Sequence, residues 1–150
     1  MISNETVYPG GLKESADSCS LKYSLAPGIS ASEFLRRSKQ EEWAIVDARS
    51  AAERQVSIIP GALGIEDFEA ELDDHSKKNI LVYCTLGCRS GVYAQMLRER
   101  GFNAFNLWGG VLAWTLEGNV FESPSGDTSR SVHVSGPQWD LLPPDYEAVW

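Results

Sequence analysis

The chain has 150 residues and a mass of 16.5 kDa, 43% hydrophobic and 23% charged, which is the composition of one globular domain rather than of a disordered chain. A formal net charge of −8 and a pI of about 4.7 repel a phosphate backbone on average, so no nucleic-acid partner is expected. The longest apolar run, Ile80-Leu81-Val82-Tyr83-Cys84, is too short to cross a membrane, and Met1 to Glu5 lacks the basic-then-apolar order of a signal peptide; the expected location is cytoplasmic.

Residues 1–28 read as an irregular N-terminal arm, with Pro9, Gly10, Gly11 and scattered serines but no sustained period. Ser30 and Glu33 offer a capping box for a short helix carrying Phe34 and Leu35 and ending near Ser38. Trp43-Ala44-Ile45-Val46 reads as a buried parallel strand ending at Asp47. Residues 50–55 suit one or two helical turns, Pro60-Gly61 a turn, 62–65 a short strand and 67–72 a helix. The acidic residues Glu66, Asp67, Glu69, Glu71, Asp73 and Asp74 read as a solvated helix face.

Ile80-Leu81-Val82-Tyr83 is the strongest strand. Residues 90–100 suit a helix with Val92, Met96 and Leu97 on its apolar face, stopped by Gly101. Phe105-Asn106-Leu107 is the next strand, and Gly109-Gly110 turns into a helix over 111–117. Strands alternating with helices give an α/β domain over 29–118, a central parallel sheet of about five strands with helices on both faces. Residues 119–150 lose the rhythm, yet Val132, Val134, Trp139, Leu141, Leu142, Tyr146 and Trp150 are too apolar for a free tail, so a C-terminal arm packed on the domain is expected.

The three cysteines are Cys19, Cys84 and Cys88. An odd count without a secretory signal argues against a disulfide framework and for reduced thiols. His75 and His133 lie far apart and are expected at the surface, so no metal site is expected.

The chemistry concentrates in Tyr83-Cys84-Thr85-Leu86-Gly87-Cys88-Arg89-Ser90-Gly91. A cysteine stands at the carboxyl end of the central strand, where open α/β sheets bind ligands. Loop amides and the following helix start direct partial positive charge at its sulfur and Arg89 adds a full one, surroundings expected to favour the reactive thiolate. Gly87 lets successive N–H groups converge into an anion nest. Ser90 is expected to cap the helix, its hydroxyl facing the sulfur.

These residues, with Val46-Asp47-Ala48-Arg49, Glu53, Ile59-Pro60-Gly61-Ala62 and Leu107-Trp108-Gly109-Gly110-Val111 plus Trp114, resemble single-domain rhodanese-like proteins in type and order. The resemblance implies a sulfurtransferase cycle that needs no metal and no organic cofactor. Cys84 would take the outer sulfur of thiosulfate or a persulfide as a Cys84 persulfide and pass it to a thiol, cyanide or protein acceptor. Thr85, Leu86, Gly87, Cys88, Arg89 and Ser90 would form the substrate cradle. A small-molecule sulfur donor is the implied partner, and the oligomeric state is left open. Phosphatases or arsenate reductases of the same fold place five residues between Cys and Arg. Here four intervene, a smaller ring suited to a single sulfur. A non-catalytic binding module of the family generally lacks the cysteine.

Two departures stand out: Ser57-Ile58-Ile59 where relatives often carry Gly-His-Ile, and a loop whose single cation is Arg89. Asp47 and Arg49 are expected to brace the strand end as an ion pair, Glu53 to pair with Arg49 along a helix, and Trp108 and Trp114 to line core or pocket wall, Trp108 at the rim. Cys88 is read as splaying outward rather than as a resolving thiol, since side chains between converging amides point away from the cradle.

Overall fold

The computed structural model describes residues 8–150. Five parallel strands form one sheet: β1 Gly28–Ile29, β2 Trp43–Asp47, β3 Leu63–Gly64, β4 Asn79–Tyr83 and β5 Asn103–Leu107, in the spatial order β1-β5-β4-β2-β3. The helices are α1 Leu12–Lys22, α2 Ala31–Arg37, α3 Ala51–Val56, α4 Ile65–Ala70, α5 Leu72–His75, α6 Cys88–Glu99 and α7 Gly110–Leu116. Among the described residues no helix is long and apolar enough to cross a membrane.

β4 is central because it can be buried on both faces. Ile80 and Val82 point into one core cluster with Val46, Phe68, Ala94 and Leu97; Leu81 and Tyr83 point into the other with Ile29, Phe34, Leu107, Leu112 and Trp114. Ile80, Leu81 and Val82 are fully buried, contributing at most about 1.5–3 kcal/mol each. In-register pairing of Asp47 with Tyr83 brings the carboxyl ends of β2 and β4 to one edge, where Cys84 follows.

Three segments differ from the sequence reading. The N-terminal arm is not irregular: α1 packs beside α6 and buries Leu12, Ala16 and Cys19, a stripe of three residues too narrow to register as a period; residues 1–7 of that arm lie outside the described residues. α6 begins at Cys88 rather than Ser90, because Gly87, at φ 132, takes the N-cap place. Its buried face is Ser90, Gly91, Tyr93, Ala94 and Leu97, while Val92 and Met96 are exposed; the small residues let α6 approach its neighbours closely, with Gly91 against the Tyr23 ring. The acidic helix starts earlier, at Ile65, and breaks at Glu71 into α4 and α5, which buries His75 in a stack on Phe68 instead of leaving it at the surface.

The C-terminal arm forms two small sheets, β6 Phe121–Glu122 with β7 Thr128–Ser129 and β8 Ser131–His133 with β9 Glu147–Val149. Phe121, Val132 and Val134 are fully buried. Ser57, at one of the departures from the family pattern, donates its hydroxyl to the Ser131 carbonyl at 2.6 Å, so this position anchors the arm. Hydrogen exchange checks the docking: the Val134 amide, bonded to the Val149 carbonyl at 2.8 Å, is expected to exchange as slowly as the sheet. Fast exchange throughout 131–134 would contradict it.

Candidate active site

Cys84 leaves β4 at 2% exposure, under a loop that curls back over it. Its Sγ accepts the Gly87 N–H at 3.1 Å and the Ser90 N–H at 3.4 Å, and the Ser90 hydroxyl lies 3.2 Å away. Gly87 makes this turn in the left-handed region, where a side chain is strained. The outward carbonyls of Cys84 and Thr85 accept the N–H groups of Val111 and Leu112 at the start of α7. Gly110 sits so close beneath them, at φ 52, that a Cβ there would strike both oxygens. The Gly109-Gly110 pair thus holds the cradle from outside.

Asn106 holds it from within. This β5 residue, 2% exposed, accepts the Ser90 hydroxyl proton at 2.7 Å and donates its amide to the Gly87 carbonyl at 2.9 Å. With that proton committed to Asn106, the Ser90 oxygen is left to accept from the Cys84 thiol; turned inward, the same hydroxyl donates to an anionic sulfur. The sequence reading passed over Asn106, although a polar side chain inside a buried parallel strand is itself a signal. It also gave Ser90 the helix cap, a place Gly87 fills.

Asp47 and Arg49 pair as expected, whereas Glu53 takes a different partner. Arg49 binds Asp47 through two hydrogen bonds, at 2.9 and 2.7 Å, with both side chains fully buried. Arg49 also donates to the Ser57 carbonyl at 2.7 Å, and the Tyr83 hydroxyl donates to Asp47 at 2.6 Å. The Arg49 guanidinium thus bonds Asp47 and the Ser57 carbonyl rather than Glu53. A capping box with Ser50 turns Glu53 toward the loop, where it accepts two hydrogen bonds from Arg89, at 2.7 and 2.9 Å. Burial alone would raise the Glu53 carboxyl; the bonds from Arg89, the Ser50 amide and the Ser50 hydroxyl outweigh it and hold the group well below the usual carboxylate range. A lowered folded-state pKa means that this pairing is fully present above about pH 4.5 and is lost only as the pH falls far below. The expected free charge of Arg89 is accordingly shared with a carboxylate.

The C-terminal arm reaches this cluster. Ser135, a non-glycine residue at φ 75, places its hydroxyl 2.9 Å from the Thr85 hydroxyl and 3.3 Å from Glu53. His133, expected at the surface, is half-buried with Nδ1 3.8 Å from the same carboxylate. Thr85 is buried and Leu86 half-buried.

Cys88 departs furthest from the expectation of reduced thiols. It splays outward, as anticipated, and there forms a disulfide with Cys19 of α1, across 69 residues of sequence. Cys84 is the free cysteine. Trp108 is half-buried and donates its indole N–H to Asp17 of α1 at 2.9 Å. Trp114 is core, 4% exposed. Among the described residues no group of three His, Cys, Asp or Glu is placed to hold a metal ion.

Known proteins resemble this chain in sequence and in fold. Residues 30–117 match the model of the Rhodanese-like domain. A protein named sulfurtransferase from Allochromatium vinosum is 30% identical over 95 residues, covering 61% of this chain and 89% of that one. A tRNA uridine(34) hydroxylase from Rhodococcus erythropolis is 32% identical over 88 residues, 51% of this chain and 31% of the relative. The crystal structure of a thiosulfate sulfurtransferase from Pseudomonas aeruginosa superposes with a TM-score of 0.62 at 26% identity, over 81% of this chain and 24% of that one. A rhodanese-like domain protein from Staphylococcus aureus gives 0.53 at 27% identity, covering 64% and 96%. The chain thus spans less than a third of the hydroxylase and of the Pseudomonas enzyme.

Proposed function

The chain belongs to the rhodanese-like domain family, and from that premise we propose that it is a sulfurtransferase that carries sulfane sulfur on Cys84. The observation that carries the reading is the convergence of the Gly87 and Ser90 amides on Sγ in a loop with four residues between Cys84 and Arg89. Preorganised donors of this kind receive a charged sulfur without reorganising.

The Cys84 thiolate attacks the outer sulfur of a donor. Thiosulfate leaves sulfite; a persulfide leaves its parent thiol once protonated. The Cys84 persulfide then yields its terminal sulfur to cyanide, a small thiol or a protein thiol, and Cys84 is restored. The short loop disfavours a phosphatase, whose tetrahedral substrate needs a wider ring of amides. Intact-mass spectrometry tests the proposal: incubation with a persulfide donor should add about 32 Da, one sulfur atom, at Cys84. No adduct, together with turnover of a phosphate ester, would replace it.

Donor preference follows from the Glu53–Arg89 pair. With the loop's cation neutralised, thiosulfate is expected to be the poorer donor and persulfides the better, by kcat/KM. Glu53→Gln should free Arg89 and raise thiosulfate kcat/KM by about threefold or more, with new salt sensitivity. A wild-type preference for thiosulfate that is indifferent to salt would sink this argument.

A further inference from the structure

We propose that the Cys19–Cys88 bridge is a second reactive site, a cystine that exchanges with dithiol reductants and whose state sets how firmly the Cys84 cradle is held. The inference rests on Cys84 as the reacting group, not on the identity of the sulfur it carries. Cys88 lies between Gly87 and Ser90, the two residues whose amides reach Sγ, so the bridge pins the cradle to α1 at its midpoint. Exposure across the bridge is one-sided: Cys88 is exposed and Cys19 is 4% exposed, so a reductant meets Cys88 first. Cys88 is also the first residue of α6, where a thiolate is stabilised by the helix start.

Exchange then runs in two steps. A thiolate of the dithiol attacks Cys88 Sγ, the bond to Cys19 breaks, and Cys19 leaves as a thiolate and takes a proton from solvent. The second thiol attacks the reductant's own sulfur in the mixed disulfide and releases Cys88 as a thiolate. Two electrons pass to the cystine, and the dithiol becomes a disulfide. α1 stays docked after the bridge opens, because Leu12 and Ala16 are buried, Asp17 binds Trp108 and Tyr23 packs on Gly91. The two thiols therefore remain close enough to rejoin, their Cα atoms being 4.8 Å apart in the bridged form. What changes is the loop: freed at Cys88, it moves more and uncovers Cys84.

The test equilibrates the full chain in mixtures of reduced and oxidised dithiothreitol. Acid quenching, alkylation after denaturation and peptide mapping report the bridge, and native iodoacetamide labelling reports Cys84. The Cys19–Cys88 peptide pair is expected to open and re-form in the folded protein, with native near-ultraviolet circular dichroism. The labelling rate of Cys84 should rise about threefold or more when it opens. Cys19→Ser should show the fast rate at every ratio; Cys88→Ser serves as the second variant should that one fail to fold. A bridge that yields only on unfolding, or equal labelling rates in both states, would overturn the proposal. Loss of sulfur transfer in both states with the labelling switch intact would remove the sulfurtransferase reading and leave this inference standing.

Discussion

Cys84→Ser is expected to lower cyanide-dependent sulfur transfer by about a thousandfold or more while leaving the fold intact. A serine hydroxyl stays protonated at neutral pH and forms no persulfide. It is also nearly isosteric, and its oxygen can still meet the Gly87 and Ser90 amides that now reach Sγ. Stability should therefore move little while turnover disappears, and the roughly 32 Da adduct should vanish with it. Stopped-flow or thiocyanate assays alongside urea denaturation separate the two effects. Residual turnover within tenfold of the parent would move the nucleophile to another residue.

The parts of this site legible in the sequence are those written within a few residues. Cys84, Gly87 and Ser90 lie in one strand–loop–helix unit, and Asp47 and Arg49 are two positions apart. Strand and loop patterns therefore bring both groups onto the page before any tertiary contact is known. The rest of the site comes from long-range packing. Asn106 reaches Gly87 across 19 positions, Ser135 reaches Thr85 across 50, and Cys19 reaches Cys88 across 69. None of these pairs has a spacing rule. The α1 helix is hidden for a related reason: it buries only Leu12, Ala16 and Cys19, so its other residues are free to be polar. The cysteine count misled because three thiols can hold one bridge and one reactive group. The pairing of Glu53 was also a choice between two arginines. Arg49 sits four residues away in sequence, but Asp47, Tyr83 and Ser57 surround its guanidinium, which leaves Arg89 for the carboxylate.

Arg49→Leu is expected to cost about 3–5 kcal/mol of stability, because it strands Asp47 as a buried charge. Both side chains of the pair are fully buried, so water cannot take the place of the guanidinium. The Tyr83 hydroxyl and the Arg49 backbone amide would still donate to Asp47, at 2.6 and 2.9 Å, which compensates for part of the loss. The Ser57 carbonyl would lose its partner as well, and Ser57 anchors the C-terminal arm through Ser131. The melting temperature of a chain this size should fall on the order of 10 °C. Replacing both members, Asp47→Leu with Arg49→Leu, removes the stranded charge and should cost less than Arg49→Leu alone, since a buried pair exchanged for apolar side chains is often close to neutral. The unpartnered Arg49 Nη1 points the same way: even the intact pair leaves one buried donor without a partner among the described residues. Urea denaturation of the parent, the single variant and the double variant is the measurement. A single-variant loss below about 1 kcal/mol would show that Asp47 finds a proton or a water, and that the pair braces the end of β2 far less than its burial implies.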